Sequence, residues 1–471
     1  MGRTRFGGAF LLLPAALALA RVAVPTLGKV LGGAHRAQRL VLSLFFRAAL
    51  GVERIFHFES LDDLGFALLS GGKKVLSRGH LGRMQRAVTT PAVKAFARAT
   101  EQLAVLRDRV VTVSLDEHVI ARFTRKFRIA KGYHTIRNKK MRAEKLFYLY
   151  WPAGRRFMQL VVARGNATLV DMAVLFLRGL RRRARPRRLR MILDAGAASS
   201  HEGLRRLDRF TKTTLIIRTP RRPAYLKAWK RLPRDSFTPY EEPGPYVGAK
   251  PKQIGIAETT TVIKGIARPV RTIVVRERAR RGKDRWHALF ALHDDTTSAL
   301  DLLHEYRTRQ HHEQGHRIGV HDLWIDASPS GYPKRGPPDR PGFVQAPLML
   351  SAWVAALAWD ALRDLGLKLP QAFHFAHPRT LRRWLLMRDA ELILTASHLI
   401  VVLAYDPRRA WLRPLLRQFN EAEVALPWLD GRRVLMGFAA RSQPLADARA
   451  LLPNLPEVGS DFPGNCGNVW C

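Results

Sequence analysis

The stretch Thr296–His321 contains four side chains that could act on a phosphate group. On a helix at about 100° per residue, they share one sector: Tyr306, Arg309, Glu313 and Arg317. That helix face would carry an aromatic ring, a carboxylate and two guanidinium groups. Such a set is either a solvated charged face with pairs at i,i+4 or part of a site for an anionic substrate. Two carboxylates earlier in the chain favour a site.

Each of those earlier carboxylates follows a short apolar run. Asp116 comes directly after Val110–Leu115, and Asp194 comes directly after Leu189–Leu193. If these two predicted strands are neighbours, their ends bring the aspartates together, and a helix packed on the sheet can add Glu313. We call Asp116, Asp194 and Glu313 the acidic triad. Clustered carboxylates repel each other unless cations lie among them. Oxygen-only ligands suit Mg²⁺ or Mn²⁺, and two such ions clamp the attacking and leaving oxygens in phosphoryl transfer.

The elements that must position the triad can be predicted from hydrophobic periodicity and turn residues. They are a strand (Val110–Leu115), a hairpin (Leu146–Trp151 and Phe157–Ala163), a helix (Thr168–Arg183), a strand (Leu189–Leu193), a helix (Ser199–Phe210) and a strand (Thr214–Arg218). A further strand, Trp286–Leu292, precedes a single helix over Thr296–His321, with Asp294 or Asp295 as its cap. This order predicts an α/β fold with a mixed sheet.

Composition shifts divide the chain into five predicted regions. They are a helical N-terminal region (1–107), the first part of a catalytic core (108–218), a basic β-rich insertion (219–285), the end of the core (286–327) and a mainly helical C-terminal region (328–471). In the first region, a glycine turn precedes a short helix capped by Ser77 that bears Arg78, Arg83 and Arg86. This pattern fits either a helix-turn-helix reader of DNA or a plain helical bundle.

The net charge points to a polyanionic partner. The 471 residues include 80 Lys and Arg against 38 Asp and Glu, a formal net charge of +42. Nucleic acid is the partner that this excess favours, and a basic membrane surface is the alternative. The two cysteines, Cys466 and Cys471, cannot form a disulfide framework, which fits a reducing compartment.

Two further basic groups are candidates for DNA contact. The predicted helix over Thr168–Arg183 ends in Arg181, Arg182 and Arg183, where phosphate contact explains the crowding of charge better than solvation does. Lys131 and His134 lie between the first two strands, in a segment that either touches DNA or forms a simple loop.

The first twenty residues mimic a signal peptide, with Arg3 and Arg5 before the apolar run Gly7–Ala20. Arg21 follows at once and amphipathic sequence continues to Leu50, so a buried helix is predicted rather than export or a membrane span. An exported or membrane-associated basic protein is the alternative.

The segments VSLDEHV and RMILDAGAAS, together with the spacing Tyr306-x-x-Arg309-x-x-x-Glu313, resemble the DDE transposases of bacterial insertion sequences. The closest resemblance is to the subgroup with a Tyr-x-x-Arg-x-x-x-Glu-x6-Lys signature. It covers roughly residues 105–325. It implies an RNase H-like core with a β-rich insertion between the second Asp and the Glu, flanked here by helical N- and C-terminal regions.

The resemblance also implies an activity and partners. The acidic triad would bind two Mg²⁺ ions, with Mn²⁺ as a substitute, and Tyr306, Arg309 and Arg317 would position the scissile phosphate or a flanking DNA strand. The enzyme would cleave DNA at the ends of its element and transfer the strands to a target, as a homodimer on double-stranded DNA. A cytoplasmic, nucleoid-associated location follows.

Two features support other functions. Val320 stands at the position of the family's lysine, which suggests either that Arg317 supplies the cation or that the chain is a catalytically inactive DNA-binding derivative of a transposase. The sequence His312-Glu313-Gln-Gly-His316 matches the HExxH pattern of zinc proteases. A zinc protease, however, would leave the two aspartates and the net charge unexplained. Neither a GxGxxG nor a P-loop pattern occurs, which argues against nucleotide hydrolysis.

Overall fold

The computed structural model describes the chain apart from residues 1, 102, 124–129, 135–136, 244–249, 278–283, 328–341, 405–410 and 440–471. It divides into two compact units. Unit 1 comprises Met1–Thr100 and His316–Cys471, and unit 2 comprises Glu101–Gly315. Cys466 and Cys471 lie outside the described residues.

The strands of the described residues are β1 (Gly2–Thr4), β2 (Val110–Ala121), β3 (Lys131–His134), β4 (Lys139–Trp151), β5 (Arg156–Arg164), β6 (Arg188–Leu193), β7 (Thr213–Arg218), β8 (Thr238–Glu242), β9 (Lys252–Thr261), β10 (Val270–Glu277), β11 (Arg285–Leu292), β12 (Ala390–Leu394), β13 (His398–Leu403), β14 (Ala425–Leu426) and β15 (Arg432–Phe438).

The helices are α1 (Leu13–Leu31), α2 (Ala34–Ala49), α3 (Leu64–Leu69), α4 (Arg78–Ala87), α5 (Thr90–Thr100), α6 (Leu169–Arg183), α7 (His201–Asp208), α8 (Pro223–Lys230), α9 (Ala299–Arg307), α10 (Arg309–His321), α11 (Gly342–Leu367), α12 (Pro378–Leu381) and α13 (Leu412–Glu421).

Unit 2 is built on one mixed sheet with the strand order β3-β4-β2-β6-β7-β11-β10-β9-β8, and β5 pairs with β4. The strands β2, β6 and β7 run parallel, while β4 and β11 flank them antiparallel. Side chains alternate between the faces of a strand. One face buries Leu115, Leu193 and Ile217 in the same apolar cluster as residues of α6 and α7, and the other face buries Ile192 and Ile216 with residues of α9. The mixed α/β architecture predicted from the sequence is therefore observed.

Local sequence explains most of the element boundaries in unit 2. Thr168 caps α6 by accepting a hydrogen bond from the Asp171 backbone N–H, and Ser200 caps α7 in the same way. The hairpin between β4 and β5 turns at Arg155, whose φ is +50°. The predicted segments over 146–218 differ from the observed elements mainly at their ends, with β4 extending back to Lys139.

The segment predicted as a basic β-rich insertion does not form a sheet of its own. Its strands β8, β9 and β10 extend the main sheet through antiparallel pairing with each other and with β11. Its Pro, Gly and Arg content reflects the long connections, while the strands bury alternate apolar residues such as Ile254, Ile256 and Ile273.

Unit 1 contains helices and a second sheet with the order β1-β12-β13-β15-β14. The C-terminal region, predicted to be mainly helical, contains α11, α12 and α13 and also supplies four strands of this sheet from residues after 389. The apolar run of β13 is buried along most of its length, which removes the alternation that identifies a half-exposed strand.

The N-terminal apolar run forms a short 3₁₀ helix (Gly7–Leu12) that leads into α1. Residues of α1 at helical spacing are buried, among them Ala16, Ala20 and Leu27, whereas Arg21 and Lys29 are exposed. The stretch Gly7–Leu31 is also long and apolar enough to cross a membrane by length and composition, a property that buried core helices share.

Candidate active site

Strand register places two members of the acidic triad side by side. The parallel strands β2 and β6 pair from Val110 opposite Arg188 to Leu115 opposite Leu193. Asp116 and Asp194 are the next residues on the two strands. Because Leu115 and Leu193 point into the core beneath α6, the two aspartates project from the opposite face of the sheet.

Asp116 does not end its strand, contrary to the sequence-based expectation. β2 continues to Ala121, and Asp116 lies opposite Tyr148 of β4. The pairing with β6 ends at Leu115, so Asp116 occupies the point where β2 loses one neighbour and keeps the other. Asp194, by contrast, directly follows the last residue of β6.

The predicted single helix over Thr296–His321 is instead two helices. Ser298, rather than Asp294 or Asp295, caps α9 by accepting a hydrogen bond from the Asp301 backbone N–H. α9 ends at Arg307, and the hydroxyl of the next residue, Thr308, donates to the Glu305 carbonyl (2.7 Å). Such back-bonding competes with the helical ladder and bends helices. α10 then begins at Arg309.

Arg309 gathers the acidic triad around one guanidinium group. Its Nη2 lies 3.0 Å from Asp116 Oδ2 and 3.7 Å from Asp194 Oδ2, and its Nη1 lies 2.7 Å from Glu313 Oε1. The Arg309 side chain is only 12% exposed, while that of Glu313 is 50% exposed. The structure therefore brings Asp116, Asp194, Glu313 and Arg309 together at one end of unit 2's parallel strands.

Burial and charge pull the pKa values of this cluster in different directions. Burial raises the pKa of Asp116 above its ordinary value, and the nearby Arg309 charge only partly offsets this. Burial lowers the pKa of Arg309, but the charges of Asp116 and Asp194 outweigh it and the net shift is upward. Burial also raises the pKa of Tyr306 to about 12, so its phenol stays protonated at neutral pH.

Three polar atoms of the cluster are buried without a hydrogen-bond partner among the described residues. They are Asp194 Oδ1, the Tyr306 hydroxyl and Arg309 Nε. Buried polar atoms in proteins are almost always paired with protein groups, water or a ligand. Asp194 Oδ1 and the Tyr306 hydroxyl therefore lie beside an unpaired Arg309 Nε, at positions that water or a ligand can complete.

The carboxylates of the acidic triad are suitable ligands for a hard divalent cation, but their present arrangement does not form a metal site. The triad offers carboxylate oxygens only, the ligands that Mg²⁺ prefers. Asp194 Oδ1 has no hydrogen-bond partner among the described residues. Within the described ranges, however, no group of three His, Cys, Asp or Glu side chains is placed to hold a metal ion. The Arg309 guanidinium stands between the carboxylates that would have to converge.

His312, the first histidine of the HExxH match, is a core residue. Its side chain is fully buried, its Nδ1 lies 2.7 Å from Ser114 Oγ, and its ring stacks on Tyr150 at 5.1 Å with 12° between the planes. Ser114 is two residues before Asp116 on the same face of β2. These contacts pack the start of α10 on the sheet and give His312 a place in the core of unit 2.

Arg317 and Val320 lie further along α10. The Arg317 side chain is exposed, and Val320 is half-buried. Among the described residues, Glu313 forms its ion pair with Arg309 and not with Arg317. Arg317 is therefore available to an external anion.

The predicted DNA contacts on α4 belong to unit 1. Ser77 caps the helix as predicted, by accepting a hydrogen bond from His80. Arg78 and Arg83 are exposed, and Arg86 is half-buried. The guanidinium of Arg78 also lies over the Phe56 ring, 4.8 Å from its centroid.

The other predicted DNA contacts belong to unit 2. Arg183 pairs with Glu101 (2.6 Å) and Arg181 donates to Thr213, so within this cluster only Arg182 is exposed without such a partner. Lys131 and His134 form the ends of strand β3, rather than a loop. Lys131 is exposed on that strand.

Arg218 is a candidate site residue that the sequence analysis passed over. The parallel strands β6 and β7 pair Leu193 with Ile217, so Arg218 follows beside Asp194 and on the same face of the sheet. It is half-buried and forms no ion pair within the described residues. Its charge lowers the pKa of the nearby His287 and acts on Tyr306. An arginine at the end of an apolar strand was the available signal.

Comparisons with known proteins give little further information. No protein-family model matches the chain, and no curated protein sequence matches it. Among solved structures, it is similar to a piggyBac transposase synaptic complex with hairpin DNA, with a TM-score of 0.44 and 11% identity over 81% of this chain and 81% of that chain. A TM-score of this size does not establish a shared fold, so the proposal below rests on side-chain geometry.

Proposed function

We propose that this chain is a transposase that cleaves DNA at the ends of an insertion sequence and transfers the strands by metal-dependent phosphoryl transfer. Its catalytic core would be RNase H-like and formed by β2, β4, β5, β6 and β7 with α6 and α7. One observation carries the proposal. Parallel register sets Asp116 beside Asp194, and Glu313 reaches the same guanidinium as both aspartates.

The acidic triad would hold two Mg²⁺ ions, for which Mn²⁺ can substitute. When bound, such ions activate an attacking oxygen and stabilise a leaving oxygen. The unpaired Oδ1 of Asp194 supplies a ligand atom that no described protein group uses. The protein then needs no nucleophile of its own, because water or a DNA 3′-hydroxyl attacks.

The remaining side chains of the site would bind the substrate phosphate. The Tyr306 hydroxyl is buried, unpaired among the described residues and protonated at neutral pH, so it can donate a hydrogen bond to a phosphate oxygen. Arg309 offers a planar bidentate donor that suits phosphate. The transposase signature has a lysine where this chain has Val320. Arg218 or Arg317 could supply that positive charge instead.

Exposed basic residues of each unit would bind double-stranded DNA, both element ends and target, in a homodimer located in the cytoplasm on the nucleoid. Arg78, Arg83, Arg182 and Lys131 are exposed and can contact phosphates. Affinity should then fall steeply with salt, with a slope of roughly −0.9 per contacted phosphate in log K against log salt. A flat salt response would remove nucleic acid as the partner.

A second candidate function is a DNA-binding protein that derives from a transposase and no longer cleaves. Val320 at the lysine position favours it. The two functions share DNA binding and differ in chemistry, so a cleavage assay separates them.

The test uses duplexes taken from the DNA that flanks the gene, with Mg²⁺ or Mn²⁺ and the full chain. We expect the wild type to nick these duplexes. Asp194→Asn should bind them equally well but cleave them at least about 10³-fold more slowly. The matched control is Asp295→Asn, at an exposed aspartate paired only loosely with Arg268. Tight wild-type binding without cleavage in either metal would favour the inactive derivative.

A further inference from the structure

Arg309 occupies the centre that the proposed metal ions would need. Its two terminal nitrogens are within 3.0 Å of Asp116 and Glu313, and one of them is 3.7 Å from Asp194. A bound Mg²⁺ requires its oxygen ligands at about 2.0–2.1 Å in near-octahedral geometry. The same carboxylate oxygens cannot enclose a guanidinium and also converge on divalent ions, which would repel it.

We infer that Arg309 is an internal counter-ion that keeps the acidic triad closed to metal until a DNA phosphate draws the guanidinium away. This inference rests on the proposed function and adds an order of binding to it. With Arg309 in place, one guanidinium faces three carboxylates. On its release, the triad presents several free oxygens, including the Asp194 Oδ1 that has no partner even now among the described residues.

A phosphate is the kind of ligand that can move this side chain. It can accept two parallel hydrogen bonds from one guanidinium, whereas Asp116 and Glu313 each accept a single hydrogen bond from Arg309. Arg309 Nε is buried and has no partner within the described part of the chain, so one donor of the fork is already unused. Nearby, the Tyr306 hydroxyl is a second unpaired donor for the same phosphate.

The arrangement makes metal and DNA binding cooperative. DNA phosphate and metal each favour the displacement of Arg309 from the acidic triad, so binding of one lowers the free-energy cost of binding the other. Such coupling is reciprocal by thermodynamic necessity. Metal should therefore bind weakly to the free protein, and DNA should bind more tightly when metal is present. The consequence is that few molecules of the free enzyme hold metal, and the enzyme cleaves DNA only after Arg309 has bound a DNA phosphate.

The test measures Mn²⁺ affinity by titration calorimetry on the full chain without DNA. We expect Arg309→Ala to bind Mn²⁺ at least about tenfold more tightly than the wild type, about 1.4 kcal/mol. Adding Asp194→Asn to Arg309→Ala should remove that gain. The matched control is Arg307→Ala, which deletes the same charge from α9 at a side chain paired with Glu242; it should leave Mn²⁺ affinity unchanged.

A second measurement tests the coupling itself. At constant ionic strength, Mn²⁺ should raise the affinity of the wild type for a short duplex, and this increase should be absent in Arg309→Ala. Thermal unfolding confirms that each variant is folded.

The possible failures are distinguishable. If Arg309→Ala binds Mn²⁺ no more tightly than the wild type while Asp194→Asn weakens binding in both backgrounds, the counter-ion inference is wrong and the metal site stands. If Asp194→Asn changes Mn²⁺ binding in neither background, the triad is not a metal site and the inference is wrong together with the proposed chemistry.

Discussion

Two arginine-centred clusters lie on the same face of unit 2's sheet, and each leaves the Nε of its arginine buried without a partner among the described residues. They differ because the Arg309 cluster also leaves Asp194 Oδ1 and the Tyr306 hydroxyl unpaired there. In the first, Arg190 of β6 bonds Asp294 and Glu305. In the second, Arg309 bonds the acidic triad, whose Asp194 lies four residues after Arg190. Both place carboxylates beside a partly buried guanidinium, so composition alone does not separate them.

The pKa shifts separate them. Burial opposes the ionisation of Asp294, but hydrogen bonds from Thr297 and the charge of Arg190 outweigh it and lower its pKa. Burial raises the pKa of Asp116, and the Arg309 charge does not outweigh it. Asp294 is thus stabilised as a carboxylate, whereas Asp116 is not. Clusters that are poorly satisfied in the absence of ligand are the ones that ligands complete.

The largest expected effect concerns activity at the Arg309 cluster. Asp116→Asn should reduce cleavage by about 10³-fold or more, about 4 kcal/mol, because an amide cannot supply the charge that a metal needs. It should not destabilise the fold, since the buried carboxylate it removes is poorly stabilised. Strand-cleavage rates and thermal unfolding check both parts. Asp295→Asn is the control. If Asp116→Asn cleaves DNA at a rate within tenfold of the wild type, Asp116 takes no part in the chemistry.

The next effect concerns stability at the Arg190 cluster. Asp294→Asn should destabilise unit 2 by about 2–3 kcal/mol, because it removes a fully buried charge that accepts from Thr297 and pairs with Arg190. The shift of the urea midpoint measures it. The exposed neighbour Asp295→Asn should cost about 0.5 kcal/mol or less. Equal losses at both positions would mean that the Arg190 cluster is not the structural one.

The sequence predicted which side chains meet better than it predicted the framework that brings them together. Two aspartates after apolar runs, and a glutamate at helical spacing from Arg309, were visible as patterns, and they do meet around one guanidinium. Their meeting depends on β2 and β6 being parallel neighbours, which local sequence does not encode.

Features that depend on register or on one side-chain bond could not be predicted. Thr308 ends α9 by a bond to the Glu305 carbonyl, although nothing in helical periodicity marks it. Arg218 joins the site only because β7 pairs with β6 in parallel register. The HExxH spacing does not reveal that His312 contacts Ser114 and Tyr150, because spacing carries no information on burial.

A smaller effect should decide which cation holds the phosphate in the proposed transposase. Arg218→Ala should lower the cleavage rate by about thirtyfold, about 2 kcal/mol, because its half-buried charge lies beside Asp194. Arg317→Ala, at an exposed position, should lower it by about tenfold or less, and Arg317→Lys should retain part of that contribution. Single-turnover rates on a nicked-product assay measure both. If Arg317→Ala is the more damaging variant, the phosphate is held from α10 and not from the sheet.

The smallest expected effect is a pH dependence of stability that arises at His287 of β11, near Arg218. Burial, followed by the charge of Arg218, lowers the pKa of His287 to about 4; Arg221 and Lys252 act in the same direction and Glu277 opposes them. The unfolded chain takes up this proton near the ordinary value of 6.5. The folded chain therefore binds fewer protons in that interval, and stability must fall as pH decreases through it.

His287→Gln removes the group that creates this difference. Between neutral pH and about pH 5.5, the wild type should lose about 1 kcal/mol that the variant keeps. Thermal unfolding across that range gives the comparison, and His304→Gln, at an exposed histidine on α9, should behave like the wild type. Because Arg218 is the largest charge contribution, Arg218→Ala should also reduce the loss. An acid loss that is unchanged in both His287→Gln and Arg218→Ala would mean that the pH dependence does not arise at His287, and the contrast with the Arg190 cluster would rest on Asp116 alone.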